Sequence, residues 1–505
     1  MKMAIPGRNC HRICIYLLFT VITFLCPVSY AYSQNKDGEV YMPDNVDYPY
    51  IFISHVEVSG NKLTKDRIIV RELDFKIGDS LAVLKKGHLT GSGIRRFFVE
   101  DSSEVRLRLN YSRDNIINTK LFLTVDIYLE QVQDKNYKLK IVVTERHYWW
   151  VFPVLKLNAP NFNEWLRDID LSQLSMGVFG SHNNLFGSSH QASIAFYIGK
   201  SWAVAAGYHI PWIGKGQKKG ITFVGGYNNL AVVEYASVQN KRQMLYANNS
   251  YNTTFLAARM TFRPGLYHYN TIKLTAEYVT ISDSLFKLNP SFLAGDKKWN
   301  SSLSLYMDYY YDTRNNKSYP LEGSLLKVFV DKKGLGIFSK DVNLFYYGID
   351  FHFYQQLNKK WYVAEMVKAS NSAGENAPYY YQQSLMHKKD FIRGYDLYTL
   401  KGDQMYYFRS NIKYELVKPN IKKVKEGQEK NKFKALQYAF YLNAFADFGY
   451  ITNHFTENNP YNNKGLYSWG LGLDFVTYYD MVLRFEYAFT SIGTNGFYIG
   501  FGMPI

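Results

Sequence analysis

Cysteine and long apolar segments are both scarce in this chain of 505 residues, whose three cysteines lie at positions 10, 14 and 26. No apolar run reaches the ~18–20 residues that a membrane-spanning helix needs, which excludes a polytopic helical membrane protein. The sequence also has no His-Glu-x-x-His segment and no Gly-x-Ser-x-Gly elbow. We therefore expect no enzymatic activity, no metal and no cofactor. A barrel phospholipase, with serine and histidine far apart in sequence, is the enzymatic alternative.

Residues 1–31 are predicted to be a secretory signal peptide. A basic start without acidic residues precedes a mostly apolar stretch at residues 13–26, and a Ser-Tyr-Ala site suited to cleavage ends at Ala31. Cleavage after Ser33 fits equally well. An uncleaved anchor helix is disfavoured because the apolar run is short. All cysteines lie in this segment, so the mature chain has no disulfide or thiolate chemistry. Removing the segment lowers the net charge from +16 to +13.

Aromatic residues and glycine are abundant. The chain has 45 Tyr, 34 Phe and 35 Gly, with a mean hydropathy of −0.27. This much aromatic material excludes general disorder. A high aromatic content together with a polar mean hydropathy favours an all-β chain, and a transmembrane β-barrel is the most specific member of that class. The positive charge of an exported protein points to anionic lipid headgroups, or to lysines spread over turns, rather than to nucleic acid.

A small α+β domain is predicted at residues 50–150, after a polar, acidic linker at residues 32–49. The predicted order of elements is β-α-α-β-β, and Thr64 is expected to cap the first helix. The elements are expected at residues 51–58, 64–73, 81–98, 120–129 and 137–144. One sheet covered on one face by two helices is a stable arrangement for such a segment.

Residues 151–505 lose the helical period and alternate apolar with polar side chains, which predicts about sixteen strands. A soluble sandwich also alternates. Segments of about ten residues that recur without a helix, and that carry aromatic residues at their ends, favour a transmembrane barrel. Because lipid does not tolerate an open sheet edge, the sheet must close. The predicted segments are 173–181, 188–199, 201–210, 219–228, 231–240, 253–263, 271–280, 300–312, 321–331, 343–356, 361–370, 403–417, 435–451, 467–478, 480–491 and 496–505.

The even number of segments places both ends of the barrel on one side, the periplasmic one. It also places the long connection at residues 371–402 outside the cell and the turn at residues 417–434 in the periplasm. That turn carries seven Lys and two Glu and is predicted to be solvated, with contact to headgroups or a partner as the alternative. The aromatic cluster at residues 145–153 either anchors the periplasmic rim or packs between domain and barrel.

Five short motifs occur in the order typical of one family of outer-membrane proteins. They are Val56-Glu57-Val58-Ser59-Gly60-Asn61, Asp312-Thr313-Arg314-Asn315 with Pro320 and Gly323, Ile392-Arg393-Gly394-Tyr395, Phe445-Ala446-Asp447-Phe448-Gly449, and Gly470-Leu471-Gly472-Leu473-Asp474. Together they resemble the outer-membrane assembly and two-partner-secretion transporter superfamily (the bacterial surface antigen family). The resemblance implies a β-barrel preceded by a polypeptide-transport-associated (POTRA) domain. The chain departs from the central assembly proteins in its single POTRA-like domain and in ending at Ile505 instead of an aromatic residue, and no fused esterase domain is found.

The resemblance also implies a lock inside the barrel. In the family, the long loop folds back into the lumen and its arginine pairs with a carboxylate on the inner wall. The expected loop motif is therefore Arg393 with Gly394 and Tyr395. Asp447 is the first candidate partner and Asp474 the second, because both share the parity of polar residues or glycines on their strands. Arginine suits this role since its planar fork binds a carboxylate at two points.

Other pairings are open at this stage. Arg393 could be solvated at a loop tip, and the two acids could pair with Arg484 or Arg409 instead. Glycines beside the acids would leave room for an inserted backbone. The residues of the strand motifs are Phe445, Gly449, Gly470 and Gly472.

Two functions from different classes fit these observations. In the first, which the resemblance implies, the protein lies in the outer membrane of a Gram-negative bacterium with its POTRA-like domain in the periplasm, and it inserts or translocates polypeptides. Its partners would be outer-membrane lipid, periplasmic accessory proteins, and unfolded or extended polypeptide clients that add a strand to the POTRA-like domain. In the second, the barrel is structural, a passive pore or a lipid transporter, since a fold does not establish a function.

Overall fold

A computed structural model describes residues 39–43, 48–83, 104–157, 174–214, 216–373, 377–385, 390–417, 438–453, 459–477 and 482–501. The predicted signal peptide, most of the predicted second helix and most of the lysine-rich turn lie outside these residues. Within them, no helix is both long enough and apolar enough to cross a membrane.

In its described residues, the small domain is a five-stranded sheet with two helices. Its elements are β1 (Val40–Tyr41), β2 (Tyr50–Ser59), α1 (Asp66–Val70), β3 (Ser80–Ala82), α2 (Glu104–Ile117), β4 (Phe122–Gln133) and β5 (Asn136–Glu145). The strand order is β1-β4-β5-β2-β3. β4 and β5 form an antiparallel hairpin, whereas β2 runs parallel to β5. Apolar residues of the strands and helices form one core, which includes Ile53, Ile69, Leu109, Ile127 and Ile141.

Two details of the predicted helices are wrong. Lys65 occupies the N-cap of α1 and makes no capping side-chain bond, while the hydroxyl of Thr64 lies 2.8 Å from that of Tyr148. The start of the predicted second helix, residues 81–82, belongs to β3, and residues 84–98 lie outside the described residues. The helix α2 was not predicted. Polar side chains of α2, among them Asn110 and Ser112, are buried. The helix therefore shows little of the apolar periodicity by which helices are recognised.

Sixteen strands form the second sheet, and each runs antiparallel to the next. They are β6 (Trp149–Leu157), β7 (Leu174–Leu185), β8 (His190–Gly199), β9 (Trp202–Ile213), β10 (Lys219–Val238), β11 (Lys241–Phe262), β12 (His268–Ile281), β13 (Trp299–Asp312), β14 (Gly323–Lys333), β15 (Leu344–Gln356), β16 (Trp361–Ala373), β19 (Gln404–Val417), β20 (Tyr438–Thr452), β21 (Leu466–Thr477), β22 (Val482–Thr490) and β23 (Asn495–Phe501). Two further strands, β17 (Gln383–Leu385) and β18 (Leu400–Gly402), form a separate hairpin between β16 and β19. In the connections that the structure describes lie a short helix α3 (Asp283–Leu288) and two 3₁₀ turns (Pro290–Phe292 and Tyr379–Tyr381). The predicted fold, a sixteen-stranded antiparallel barrel after a small α+β domain, is confirmed.

The number of strands agrees with the prediction because two differences cancel. β6 was not predicted as a strand, while the predicted segments 219–228 and 231–240 are one continuous strand, β10. The sequence Asn228-Asn229 resembles a turn, but both residues pair with β11. The register shifts between Leu230 and Val232, which accommodates the irregularity as a bulge without ending the strand.

The two faces of the barrel strands differ in chemistry. On β21 the outward side chains include Trp469 and Leu471, more than half exposed, whereas Ser468, Gly470 and Asp474 on the other face are buried. Outward apolar residues recur on the other barrel strands. A soluble protein rarely exposes so large an apolar surface, and a barrel in a bilayer requires it.

The small domain packs against the end of the barrel where β6 begins and β23 finishes, which we call the domain end. The backbone N–H of Lys65 donates to the carbonyl of Gly187 at 2.9 Å, between β7 and β8. Asn118, which follows α2, donates to the carbonyl of Asn315 at 3.1 Å, between β13 and β14. The domain therefore contacts turns from separate parts of the barrel circumference.

The aromatic cluster at residues 145–153 contacts the small domain with some side chains and exposes others on the barrel surface. Tyr148 is buried and contacts Thr64 of the domain. The carboxylate of Glu145 accepts the backbone N–H groups of Leu63 and Thr64 at 2.7–3.2 Å. Trp149, the first residue of β6, is 63% exposed. The segment thus contributes both to the packing of the domain and to the outer surface of the barrel.

An arginine on the outward face should destabilise the barrel in lipid. We expect Leu471→Arg, at the middle of β21, to cost about 2–4 kcal/mol if that position lies at the bilayer midplane. Urea unfolding of the protein in lipid vesicles measures the change. Leu63→Arg, at an exposed leucine of the small domain, is the matched control and should change stability little. Equal effects of the two substitutions would contradict a lipid-facing Leu471.

Candidate functional site

The connection between β16 and β19 folds back into the barrel. We call its described residues, 377–385 and 390–403, the plug loop. Its side chains Leu385, Ile392, Tyr395 and Leu400 are at most 1% exposed, and they form one apolar cluster with residues of β15, β16 and β19–β21. Wall residues of this cluster include Tyr354, Met366, Tyr407, Ile451 and Leu466. The loop is therefore built into the lumen as a packed element.

Arg393 of the plug loop makes a two-point pair with Asp447 of β20. Its Nε donates to Oδ2 at 2.8 Å and its Nη2 donates to Oδ1. The backbone N–H of Arg393 also donates to Oδ2, at 2.9 Å. Both side chains are at most 3% exposed. Removing one partner of such a buried pair typically costs ~3–5 kcal/mol, because the other charge is left without compensation.

Further groups surround the guanidinium of Arg393. Its Nη1 donates to Oδ1 of Asn411 at 2.6 Å, and Nη2 donates to the carbonyl of Ser410 at 3.3 Å. A carboxylate oxygen of Glu486 lies 3.6 Å from Nη1, and the ring of Phe445 lies 3.9 Å from the guanidinium carbon. Asn411 and Glu486 were not among the predicted site residues. Both lie on the polar face of alternating strands, which is the signal that could have identified them.

Gly394 and Tyr395 attach the tip of the plug loop to the last strands. Gly394 has φ +86°, and a Cβ there would lie 2.8 Å from Cγ2 of Thr490. Its carbonyl accepts a hydrogen bond from the hydroxyl of Tyr498 on β23 at 2.9 Å. The hydroxyl of Tyr395 donates to the carbonyl of Tyr467 at 2.9 Å. The motif Arg-Gly-Tyr therefore contacts the wall from β19 to β23.

Asp474, the second candidate partner, binds other groups. The hydroxyl of Tyr319 donates to its Oδ2 at 2.8 Å and Nδ2 of Asn443 donates to its Oδ1 at 2.9 Å. Arg484 and Arg409, the alternative bases, lie opposite Asp474 and Asp447 in register. Neither guanidinium group bonds to the acid opposite it. That of Arg484 lies within 3.6 Å of Glu486, and that of Arg409 lies over the ring of Phe391. The structure thus joins Arg393 to Asp447 and keeps Asp474 apart.

The glycines of the strand motifs provide space on the inner wall. A Cβ on Gly449 would lie 2.9 Å from Cδ2 of Leu385 in the plug loop. On Gly470 it would lie 2.6 Å from the ring of Phe445, and on Gly472 2.7 Å from Oδ1 of Asn443. A larger side chain at these positions would displace the plug loop or its supports.

The turn between β13 and β14 connects the wall to the small domain. Arg314 donates to both carboxylate oxygens of Asp312 at 2.8 and 3.0 Å, and Gly323 takes φ +98° where it approaches the carbonyl of Thr313. Tyr319 of this turn reaches Asp474, and Nζ of Lys120 in the domain donates to Ser318 at 2.9 Å. One turn therefore contacts both the inner wall and the domain.

A second buried ion pair holds the domain against the barrel. Nη1 and Nη2 of Arg263, after β11, each donate to one carboxylate oxygen of Glu72 at 2.8 Å. The guanidinium of Arg71 lies 3.2 Å above the ring of Trp212. Burial alone would raise the pKa of Glu72, but the charge and hydrogen bonds of Arg263 outweigh burial and hold that pKa below its ordinary value.

A cavity of about 610 Å³ remains between the small domain and the inner faces of β8–β14. Seven basic and three acidic residues line it. Each acid already bonds a base, namely Glu72 with Arg263, Asp312 with Arg314, and Asp308 with Lys327. The lumen is therefore divided into a half filled by the plug loop and a basic, open half next to the domain.

A β-barrel with an internal plug loop and a small domain at one end defines a class of outer-membrane protein. Residues 184–504 match the model of the Omp85 superfamily domain. The chain belongs to the Omp85 superfamily, which confirms the resemblance found in the sequence. Membership of this superfamily points to the outer membrane of a Gram-negative bacterium.

Several solved structures are similar at low sequence identity. BamA from Haemophilus ducreyi, in a form lacking POTRA domains 1–3, is 15% identical over 90% of this chain and 83% of its own, with a TM-score of 0.48. CdiB from Escherichia coli is 11% identical over 100% of this chain and 99% of its own, with a TM-score of 0.49. CdiB from Acinetobacter baumannii is 10% identical over 98% of this chain and 97% of its own, with a TM-score of 0.43. No curated protein sequence matches the chain.

The pairing of Arg393 with Asp447 predicts strongly non-additive substitutions. Arg393→Ala and Asp447→Ala should each destabilise the barrel by ~3–5 kcal/mol, and the double variant should lose little more than either one. Urea unfolding in lipid vesicles provides the four free energies. Lys340→Ala, at an exposed loop lysine, is the control with little effect. Additive losses would show that the two residues act separately.

The pair of Glu72 and Arg263 predicts that the domain detaches in acid. The pKa of Glu72 is lowered in the folded protein, so the stabilisation is present above the carboxyl's unfolded pKa of about 4.3 and is lost as pH falls through the lower folded value. Protease accessibility of the domain–barrel contact should rise in that range. Glu72→Gln should raise it already at neutral pH and flatten the dependence on pH. A variant with the pH profile of the unaltered chain would contradict this role.

Proposed function

We propose that this protein inserts polypeptides into the outer membrane or translocates them across it, with the small POTRA-like domain in the periplasm. Membership of the Omp85 superfamily supports this class of function. The observation that carries the proposal is the Arg393–Asp447 pair, which attaches the plug loop to the inner wall of the barrel.

The ends of the barrel sheet support an opening between strands. β6 and β23 are nine and seven residues long, and among the described residues no ladder joins them. Strand ends that lack a stable partner accept other strands. The plug loop contacts this region directly, since Gly394 accepts a hydrogen bond from Tyr498 of β23. Movement of the plug loop would therefore alter the last strand, where a client strand pairs.

The position of the small domain supports its role as the receiving site. It sits over the domain end of the lumen, held by Glu72 and by contacts of Asn118 and Lys120. The domain thus lies at one end of the lumen, and the plug loop fills part of the interior. An extended client would bind by adding a strand to the edge of the domain's sheet, and Ile68, Glu72 and Asn118 of the same domain line the basic half of the lumen. Periplasmic accessory proteins deliver clients, and outer-membrane lipid surrounds the apolar face.

Depletion of the protein from cells tests the proposal. We expect outer-membrane and secreted proteins to fall in abundance at their normal sites, measured by quantitative mass spectrometry of isolated outer membranes and culture medium. The unaltered chain and Lys340→Ala should restore them, whereas Arg393→Ala and Asp447→Ala, present in the membrane at equal amounts, should not. An unchanged set of proteins after depletion would support the structural or passive barrel instead.

A further inference from the structure

The outer edge of the small domain's sheet is occupied by a segment of the same chain. β1 pairs in parallel with β4, with Val40 opposite Ile127 and Tyr41 opposite Tyr128. The backbone N–H of Ile127 donates to the carbonyl of Glu39 at 2.9 Å. The segment at residues 39–42, which we call the edge segment, thus satisfies backbone groups that an edge strand otherwise leaves open.

The side chains of the edge segment use both faces of the sheet. Val40 and Met42 pack against the domain core. On the other face, the rings of Tyr41 and Tyr128 stack with centroids 4.5 Å apart and planes inclined by 4°. The hydroxyl of Tyr41 donates to the carboxylate of Glu39 at 2.7 Å. With apolar residues packed inward and an aromatic residue stacked outward, β4 contacts side chains on both faces of the bound strand as well as its backbone.

The edge segment covers a small part of β4. The ladder with β1 has two residue pairs, whereas β4 has twelve residues. Beyond Tyr128, residues 130–133 of β4 are exposed, and no described strand pairs with them on this side. A short ladder on a longer edge can be replaced by a segment that pairs along more of its length.

The backbone at Glu39 adds a further requirement. Its N–H donates to Oδ1 of Asp126 on β4 at 3.0 Å, and its carbonyl accepts from Ile127. Proline has no N–H and would leave this carboxylate without that donor. A competing segment therefore needs a residue other than proline at this position, an apolar residue next, and an aromatic residue opposite Tyr128.

We infer that the edge segment is an internal ligand that blocks the strand-addition site of the small domain, and that the site takes extended polypeptides carrying an apolar–aromatic pair in parallel to β4. The identity of the competitor as a client rests on the proposed function, whereas the self-occupancy does not. The edge segment is held close to its site by a tether, at an effective concentration in the millimolar range. A client must therefore outcompete the tethered edge segment before it can bind to β4.

Peptide binding to the full chain in detergent tests the inference. The probe is fluorescein-labelled Gly-Glu-Val-Tyr-Met-Pro, which reproduces residues 38–43, and fluorescence anisotropy measures its affinity. We expect the double variant Val40→Gly with Tyr41→Gly, which vacates the edge, to bind the probe at least ~10-fold more tightly than the unaltered chain. Adding Tyr128→Ala should remove most of this gain, and a probe with Ser in place of Tyr should bind more weakly.

A reversible lock provides the matched measurement in case the glycine variant is poorly folded. The predicted mature chain has no cysteine, so Tyr41→Cys with Tyr128→Cys can form a disulfide only between these facing positions. Both redox states of this variant lack the ring of Tyr128, so they are compared with each other: the oxidised protein should not bind the probe, and reduction should restore measurable binding. Equal probe affinity in vacant, locked and unaltered proteins would overturn the inference.

Client loading separates this inference from the proposed function. If the lock blocks the probe and also lowers the delivery of outer-membrane proteins in cells, both stand. If the lock blocks the probe without changing delivery, the internal ligand stands and its role in client loading fails. If the lock leaves probe binding unchanged, the inference fails whatever the outcome of depletion.

Discussion

A guanidinium removed from water requires a charged partner, and inside this barrel Asp447 meets that requirement for Arg393. The path of the plug loop follows from this pair. Gly394 and Tyr395, the next two residues, reach the last strands because Arg393 fixes the tip against β20. The absence of a side chain at Gly449 lets Leu385 and Ile392 approach the same strand. One ion pair thus determines which half of the lumen is filled and which half stays open.

The plug loop and the small domain are connected through side-chain contacts. Tyr319 bonds to Asp474 on the inner wall, and the same turn receives Lys120 and Asn118 of the domain. Asn443, which also bonds to Asp474, lies on the strand that carries Asp447. These contacts form a continuous route between the domain end and the plug loop.

Two kinds of occupancy characterise the protein. The plug loop occupies the lumen through a charged pair, and the edge segment occupies the sheet of the small domain through backbone bonds and stacked tyrosines. Under the proposed function, both parts of the chain lie where a client strand would pass or bind. An unoccupied sheet edge in the proposed periplasmic location would pair with any extended chain, and the edge segment prevents this.

The sequence by itself determined the strands and the faces of their residues. Side chains alternate along a strand, so the inward positions of Phe445, Asp447 and Gly449 follow from local parity. Local sequence was misleading at two places. At Asn228-Asn229 a strand was predicted to end, but pairing with β11 continues it. At α2 the buried polar residues hide the helical period, so the helix was not predicted.

Only the tertiary structure decided which inward acid meets Arg393. Asp447 and Asp474 both face inward. The loop tip reaches Asp447, whereas Asp474 accepts a hydrogen bond from Tyr319, which lies 155 residues earlier in the chain. The depth at which a loop meets the wall depends on packing among distant residues, which alternation does not encode. The same holds for Glu72 and Arg263, and for the edge segment, whose partner strand lies some 85 residues further along the chain.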